Sequence, residues 1–401
     1  MAKRDSWKIV CIGCGKETES ELPDSTCKKC GDLLEVSVPT TFDRQSLFGR
    51  TGPGIWRFAA ALPFPSGIVP ISLNEGGTPL VRLVNVGADA GLSGLYAKCD
   101  GQNPTGSFKD RGMTAAVTRA KELGAEALIC ASTGNTAASL AAYAARAKMR
   151  AVVVIPKDGV ASGKLRQAFA YGARVFGVRG NFDDALRVVR DLVKSDSRFY
   201  LMNSLNPFRL EGQKVAAFEL YEQLGTIPDY VILPVGNAGN ISAIWKGFRE
   251  LVSSGIIHSA PAMIGVQAEG AAPLAAASAS GGAFKPWSEP CTVASAIKIG
   301  NPVSWKKALR AIEESRGQVL AVSDEEILDA REELGRKEGV LAEAASAAPF
   351  AALNRLALPN SSNVVCIATG SGLKDIADHP LEQKIESVED ASSLASSVWE
   401  S

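Results

Sequence analysis

The stretch NPTGSFKDRGM, residues 103–113, places one lysine between an aromatic ring and an aspartate. Its first four residues are typical of a turn, and Asp110 and Arg111 are expected to begin a helix. A lysine at a helix start beside Phe108 can be desolvated, which lowers its pKa and makes its amine a nucleophile. A single lysine is more often a solvated surface residue, so Lys109 is a candidate whose role depends on its neighbours.

Short apolar runs and helical patterns alternate along the chain around this stretch. The runs are nearly continuous in apolar residues, which is typical of parallel strands that helices cover on both faces. Helical patterns begin at Asn135 and at Pro207. The sequence therefore predicts an α/β protein with two open, mainly parallel sheets. The apolar runs are EALICAS (126–132), RAVVVIP (150–156), RVFGV (174–178), YVILPVG (230–236), MIGVQAEG (263–270), QVLAVS (318–323) and NVVCIATG (363–370).

Length and composition indicate two or three domains and a soluble intracellular protein. The chain has 401 residues, is 46% hydrophobic and has no formal net charge. This balance gives no reason to expect nucleic acid or a membrane surface as a partner. No apolar run reaches the ~18 residues of a membrane helix, and the start has no apolar signal region. We expect a cytoplasmic protein with a front ribbon at 1–38, a large domain at 39–112 and 206–380, a small α/β domain at 113–205 and a peripheral tail at 381–401.

Eight cysteines divide into two groups. Cys11, Cys14, Cys27 and Cys30 form two C-x-x-C pairs, each followed by glycine, which is the spacing of a four-thiolate structural zinc site. An iron site with the same ligands and metal-free cysteines are the alternatives. Four thiolates complete the coordination sphere, which argues against a catalytic zinc. The other four cysteines, expected to be buried thiols of a reducing compartment, are Cys99, Cys130, Cys291 and Cys366.

Three glycine-containing loops follow predicted strands. PVGNAGN (234–240) opens a helix, and its consecutive amides can form a nest for an anion. No lysine follows in the P-loop position, so a phosphate monoester fits better than a nucleoside triphosphate. A simple strand-to-helix turn is the alternative for this loop. STGNTA (132–137) suits a carboxylate, and IATGSGLKD (367–375) places Thr369 at the end of the last strand.

These segments together resemble the fold-type II pyridoxal-phosphate enzymes, and within them the threonine synthase family. The lysine stretch, the three loops and NEGGTPL (74–80) mark the superfamily. NSLNPFRLEGQK (203–214) and ASAIKIGNP (294–302) are more particular to threonine synthases, and part of that family has a zinc-ribbon-like front. The resemblance covers about residues 73–375 and implies two α/β domains, of which the large one binds the cofactor.

The resemblance implies specific contacts to pyridoxal 5'-phosphate. Lys109 would form the internal aldimine and shuttle protons. Asn135 would bind the oxygen on the ring, and Thr369 would face the pyridine nitrogen. The cofactor phosphate would be held by Gly236, Asn237, Ala238, Gly239 and Asn240.

The resemblance also implies O-phosphohomoserine as the substrate, which reacts with water by γ-elimination and β-hydration to give L-threonine and phosphate. Arg209 would grip the substrate phosphate, since a guanidinium can bind it bidentately; an ion pair between Arg209 and Glu211 is the structural alternative. The companions of Arg209 would be Asn203, Ser204 and Asn237. The substrate carboxylate would be bound by Ser132, Thr133, Asn135 and Thr136.

Other functions stay open at this point. A cysteate synthase, acting on O-phosphoserine and sulfite, would share the phosphate chemistry, and a serine or threonine dehydratase-like lyase would share the lysine. An inactive binding scaffold is a different class, against which the retained lysine and loops argue. The family often reads EPAS where this chain has EAAS (343–346), a change expected not to touch the chemistry. We expect a homodimer, as is common for this scaffold.

Overall fold

A computed structural model of the chain describes residues 7–18, 25–157, 162–281 and 283–375. The front of the chain forms an antiparallel sheet in the order β2-β1-β3. The tail expected at 381–401 lies outside the described residues. The strands of the front sheet are β1 (Lys8–Cys11), β2 (Glu17–Thr18) and β3 (Leu34–Ser37).

The remaining elements alternate between strands and helices, as the sequence predicts. Up to the lysine helix they are α1 (Arg44–Phe48), β4 (Leu80–Arg82), α2 (Val84–Asp89), β5 (Gly94–Cys99) and α3 (Lys109–Glu122). The next block comprises β6 (Ala127–Ala131), α4 (Asn135–Ala147), β7 (Arg150–Pro156), α5 (Ser162–Ala170), β8 (Arg174–Val178), α6 (Phe182–Ser195) and β9 (Phe199–Leu201).

The last block begins with two helices where the sequence shows one helical pattern from Pro207. It comprises α7 (Pro207–Gln213), α8 (Val215–Leu224), β10 (Tyr230–Pro234), α9 (Gly239–Ser253), β11 (Ala262–Ala268), α10 (Pro273–Ser280), α11 (Trp305–Glu314), β12 (Gln318–Val322), α12 (Asp324–Glu338), α13 (Ala344–Ala351) and β13 (Asn363–Ala368). Short 3-10 helices lie at Gly54–Ala61, Asp100–Gln102, Glu269–Ala271, Ser295–Ile297, Ala352–Arg355 and Gly372–Lys374.

Two sheets organise the molecule behind the front segment. Six strands form one sheet in the order β12-β11-β10-β13-β5-β4, and four form the other in the order β8-β7-β6-β9. Every pairing in these two sheets is parallel except that of β4 with β5. The α/β class with mainly parallel sheets is thus confirmed. The domain limits at residues 38, 112, 205 and 380 stay predictions.

The strand order brings the candidate loops to one edge of the six-stranded sheet. In the sheet, β13 lies between β5 and β10. Because parallel strands end at the same edge, the segments after β5, β10 and β13 meet there. These segments contain the lysine stretch, residues 236–240 and Thr369. The sequence identified the loops separately, and the sheet order makes three of them neighbours.

Burial follows the predicted pattern in the central strands but not everywhere. All five residues of β6 are buried, as are the inner residues of β10 and β13, so these apolar runs are strands covered on both faces. The run RVFGV, which forms β8, is exposed or half-buried along its whole length, because β8 is an edge strand of the four-stranded sheet. Cys291 is exposed, contrary to the expectation of a buried thiol, because it lies in an irregular segment between α10 and α11. Among the described residues, no helix is long and apolar enough to span a membrane.

Candidate active site

Lys109 is the first residue of α3 and is half-buried. Its Nζ lies 4.2 Å from the centroid of the Phe108 ring, the apolar wall expected from the sequence. Burial, and to a lesser extent the charge of Arg209, lower the pKa of the Lys109 amine to about 7, against an opposing effect of the Glu343 carboxylate. The amine can therefore exist both protonated and neutral near pH ~7, as a proton-transferring nucleophile requires.

The lysine stretch is joined directly to the loop after β13. The backbone N–H of Phe108 donates to the Thr369 carbonyl at 2.9 Å, and Ser107 forms an antiparallel bridge with Gly370. Thr369 is almost fully buried. These contacts place the predicted pyridine-nitrogen partner next to the lysine in the fold, although 260 positions separate them in the chain.

A buried ionic network anchors the start of the lysine helix, and the sequence did not reveal it. The Arg111 guanidinium binds the carboxylates of Asp100 and Glu219 at 2.7 to 3.2 Å, and Lys98 donates to Glu219 at 2.7 Å. All four side chains are at most 1% exposed. Because removing one partner would leave an uncompensated buried charge, the network strongly specifies the position of α3. A lysine inside the apolar run of β5 was the available signal.

Residues 236–240 lead from the end of β10 into the first turn of α9. Ala238 has a φ of 64°, a left-handed conformation that costs a non-glycine residue about 1–2 kcal/mol and is often found at ligand sites. The five backbone N–H groups make no hydrogen bond to another described residue. The Nδ2 of Asn240 is also buried without a partner. A nest of free donors at a helix start fits a phosphate group.

The segment expected to be particular to threonine synthases packs against this nest. A Cβ on Gly236 would lie 3.0 Å from the Ala296 carbonyl oxygen. The Asn237 carbonyl accepts from the Ser304 N–H at 3.1 Å. The resemblance identified residues 294–302 only as a pattern, and the structure makes them one wall of the anion nest.

Arg209 is buried on α7 and lacks partners for most of its guanidinium. Its Nη1 donates to the Met202 carbonyl at 3.0 Å, whereas Nε and Nη2 have no hydrogen-bond partner. Burial lowers its pKa to about 10, so it stays charged near pH ~7. The alternative ion pair with Glu211 is not formed, because Glu211 binds Lys214 and Lys246 instead.

The two companions of Arg209 in the preceding loop differ in their surroundings. The amide of Asn203 is already engaged, since it accepts from the Ala131 N–H at 3.0 Å and donates to the Ala131 carbonyl at 2.9 Å. Ser204 is half-buried, and its Cβ lies 4.0 Å from the position that a Cβ on Gly239 would occupy. Ser204 thus lies beside the nest, whereas Asn203 fastens the loop to the end of β6.

The loop from Ser132 to Thr136 is half-exposed at the start of α4. Ser132 Oγ accepts from the Gly134 N–H at 3.2 Å. The Nδ2 of Asn135 donates to both carboxylate oxygens of Glu343, at 3.0 and 3.1 Å. Glu343 is buried and belongs to EAAS. Sequence analysis considered only the change from proline to alanine in this segment and assigned no role to Glu343.

The four front cysteines converge as their spacing predicts. Their Sγ atoms all lie within 4.8 Å of one another. The Sγ atoms of Cys11 and Cys30 lie 3.4 Å apart and those of Cys14 and Cys27 lie 3.8 Å apart, so the thiols are free rather than bridged. The backbone N–H of Lys29 points to Cys27 Sγ at 3.4 Å. This cluster is compatible with a metal-binding ribbon.

Comparison with known proteins agrees with this geometry. Residues 71–370 match the family model of pyridoxal-phosphate-dependent enzymes. Threonine synthase from Methanocaldococcus jannaschii is 50% identical over 376 residues, covering 91% of this chain and 92% of that protein. Threonine synthase from Methanosarcina acetivorans is 48% identical over 378 residues, covering 92% of each. The structure of maize serine racemase has a TM-score of 0.65 at 21% identity and covers 80% of this chain and 92% of that one.

The chain therefore belongs to the pyridoxal-phosphate-dependent enzymes, and within them to the threonine synthase family. The likeness to serine racemase adds that the two-sheet fold is the one shared by these enzymes. The free amides of residues 236–240 and the lowered pKa of Lys109 fit a phosphorylated aldehyde cofactor.

Proposed function

We infer that this chain has the activity of a threonine synthase, converting O-phosphohomoserine and water to L-threonine and phosphate by γ-elimination and β-hydration. Identity of 50% to a threonine synthase across nine tenths of the chain supports this function. The structural observation that carries it is the buried Arg209 guanidinium, which acts electrostatically on Lys109 and has two nitrogens, Nε and Nη2, without hydrogen-bond partners. Such a group needs an anion, and a phosphorylated substrate supplies one.

The proposed cofactor contacts combine the free amides of residues 236–240 with Lys109, Asn135 and Thr369. Bound pyridoxal phosphate would withdraw electrons from the substrate and acidify its Cα proton. Lys109 would hold the cofactor and move protons, which its pKa of about 7 allows at neutral pH. The amides of residues 236–240 would bind the cofactor phosphate. Asn135 would donate to the ring oxygen, and Thr369 would face the pyridine nitrogen.

The proposed substrate contacts come from two segments, one for the phosphate and one for the carboxylate. Arg209 would bind the leaving phosphate, with Ser204 and Asn237 beside it. The engaged amide of Asn203 supports a role in which its loop, more than its side chain, shapes this phosphate site. The substrate carboxylate would be bound by the hydroxyls, amides and backbone N–H groups of Ser132, Thr133, Asn135 and Thr136.

A turnover assay with product identification tests the function. Purified protein would receive O-phosphohomoserine, O-phosphoserine with sulfite, or free threonine, and the products would be separated and identified. We expect threonine and phosphate from the first mixture. Cysteate from the second, or 2-oxobutanoate from the third at a comparable rate, would instead assign a cysteate synthase or a dehydratase.

The role of Lys109 has its own test. Lys109→Ala should abolish turnover and the visible absorption of the covalently held cofactor, which rises near ~410–420 nm for such a link. Lys121→Ala, at the other end of the same helix, is the matched control and should keep both. An active Lys109→Ala protein with an unchanged spectrum would end the assignment.

The front cysteines are proposed to hold one structural zinc. Four converging sulfur atoms from two C-x-x-C pairs support this, because thiolates are the ligands that zinc takes in closed tetrahedral sites. Metal analysis of the purified protein should find about one zinc per chain. Iron in its place would select the alternative, and metal-free protein after reduction would refute the site.

Assembly, location and domain limits complete the proposal. We propose a cytoplasmic homodimer; the unbridged thiols of all eight cysteines support the reducing compartment. Light scattering would measure the mass of the assembly.

The proposed domain limits are a ribbon at 1–38, a large domain at 39–112 and 206–380, and a small domain at 113–205. The four strands of the smaller sheet, β6 to β9, all fall within 113–205, which supports the limits of the small domain. Limited proteolysis tests these limits.

A further inference from the structure

The N-cap and first turn of α13 contact both groups that are expected to bind the cofactor ring. This turn, residues 343–346, is called here the EAAS turn. Its Glu343 and Ser346 side chains are 5% and 0% exposed. Glu343 binds Asn135, and Ser346 binds Thr369. Neither Glu343 nor Ser346 has a role in the proposed function above.

The contact between Glu343 and Asn135 decides which end of the amide faces which neighbour. An ionised carboxylate can only accept hydrogen bonds, so the NH2 end of Asn135 must lie toward Glu343. Both oxygens accept from Nδ2, at 3.0 and 3.1 Å. Since an amide nitrogen carries two hydrogens, Asn135 keeps a second one for another acceptor. With Glu343 in place, Asn135 therefore meets a ring oxygen as a donor.

The contact between Ser346 and Thr369 allows either hydroxyl to donate. The Gly370 N–H donates to Ser346 Oγ at 2.7 Å and takes one of the two lone pairs of that oxygen. The Ser346 proton has two acceptors in reach, Thr369 Oγ1 at 2.8 Å and Glu343 Oε1 at 3.5 Å, and the shorter contact is the stronger hydrogen bond. In the direction with Ser346 as donor, Thr369 accepts that proton and its own is left for an outside acceptor.

Packing holds this arrangement in place. Glu343 N–H donates to the Gly370 carbonyl at 3.1 Å, and a Cβ on Gly370 would lie 2.2 Å from Glu343 Oε1. Only glycine at this position leaves room for the carboxylate. The EAAS turn and the end of β13 thus pack closely against each other. This packing restricts the orientation of the Glu343 and Ser346 side chains.

We propose that Glu343 and Ser346 are positioning residues that fix Asn135 and Thr369 as hydrogen-bond donors toward the ring oxygen and the pyridine nitrogen of the cofactor. A donor facing the pyridine nitrogen keeps that nitrogen unprotonated, which limits how strongly the ring withdraws electrons. The inference rests on the proposed function for the identity of the cofactor contacts. Its readouts need no substrate, so it can fail or succeed independently of the threonine synthase activity.

The proposed role of Ser346 is tested with cofactor whose ring nitrogen is labelled with ¹⁵N. The holoenzyme should show the chemical shift of an unprotonated pyridine. In Ser346→Ala the Thr369 hydroxyl loses its donor and can turn to accept, so the signal should move toward the protonated value. Ser362→Ala, a buried serine at the opposite end of β13, is the control and should leave the signal unchanged. An unshifted ¹⁵N signal in a folded Ser346→Ala holoenzyme would overturn the proposed role of Ser346.

A double-mutant cycle shows whether Ser346 acts through Thr369. Thr369→Val removes the hydroxyl, and adding Ser346→Ala to it should shift the ¹⁵N signal no further. If Ser346→Ala shifts the signal equally with and without the Thr369 hydroxyl, Ser346 does not act by orienting that group, and the proposal is wrong.

The proposed role of Glu343 is tested by the dissociation constant of the cofactor, measured by fluorescence titration of the cofactor-free protein. Glu343→Gln is isosteric but allows the Asn135 amide to flip, and we expect binding to weaken about tenfold, the scale of one charge-assisted hydrogen bond. In an Asn135→Ala background, Glu343→Gln should cause no further loss. Equal losses in both backgrounds, or none in either, would contradict the orientation of Asn135 by Glu343.

Discussion

Replacing Arg209 with methionine separates the function of the guanidinium from its effect on folding. Methionine keeps much of the length of the side chain but has neither charge nor donors. In the folded protein, Arg209 uses one N–H group on the Met202 carbonyl and leaves Nε and Nη2 without partners. A side chain kept only for stability would not leave two buried donors unmatched.

The structure sets the size of both expected effects. Loss of a charged hydrogen-bond partner of phosphate costs ~1.5–3 kcal/mol, so kcat/KM for O-phosphohomoserine should fall roughly ten- to 150-fold. Two unmatched buried donors cost the folded state about 1–3 kcal/mol each. Their removal should offset the lost bond to Met202 and the imperfect packing, at about 1–3 kcal/mol. The free energy of unfolding of the cofactor-free protein should therefore change little.

Steady-state kinetics and urea unfolding measure the two effects on the same preparations. Arg209→Lys should recover only part of the activity, because a point charge lacks the planar fork. Inorganic phosphate should compete with substrate in the wild type and much less in Arg209→Met, while both should retain the visible absorption of the cofactor. Loss of the cofactor, or wild-type kcat/KM in Arg209→Met, would show that the substrate phosphate binds elsewhere.

Three other predictions concern pH, metal and packing. Because burial lowers the pKa of Lys109 to about 7, cofactor capture by the cofactor-free protein, followed by stopped-flow absorbance, should quicken from pH ~6 to ~8 and then level off; a rise continuing to pH ~10 would indicate an ordinary amine. Replacing Cys27 and Cys30 with serine should release the metal and lower Tm before kcat falls. Gly212→Ala puts a Cβ 1.8 Å from the Arg111 carbonyl oxygen and should cost at least about 1–3 kcal/mol of unfolding free energy. Gly335→Ala, in open space on α12, should instead stabilise by about 0.5–1 kcal/mol.

Local pattern accounted for most of the fold and for the choice of loops. The continuous apolar runs at the centre of the sheets are buried parallel strands, because a strand covered on both faces has no polar side to present. The lysine at a helix start, the glycine-rich turn after β10 and the cysteine pairs depend on spacing within about a dozen residues or on a small set of residue types. Such signals can be recognised without any knowledge of long-range contacts.

Buried polar partners were harder to predict. Sequence analysis left open an ion pair between Arg209 and Glu211, which are two residues apart, whereas Glu211 binds Lys214 and Lys246. It assigned no role to Glu343, which binds Asn135 from 208 positions away. The sequence does not show whether a polar side chain forms its hydrogen bonds with water or with a buried partner. These pairings could therefore not be predicted from the sequence.

The sequence by itself determined the alternation of strands and helices, the position of Lys109 at a helix start and the two cysteine pairs, because each follows from residues close together in the chain. Only the tertiary structure decided that β13 lies between β5 and β10, and so that the lysine, the nest and Thr369 share one edge. It also decided that the guanidinium of Arg209 is buried with two unmatched donors. The physical reason is that desolvation and hydrogen-bond satisfaction depend on everything that surrounds a group, and most of those surroundings come from distant parts of the chain.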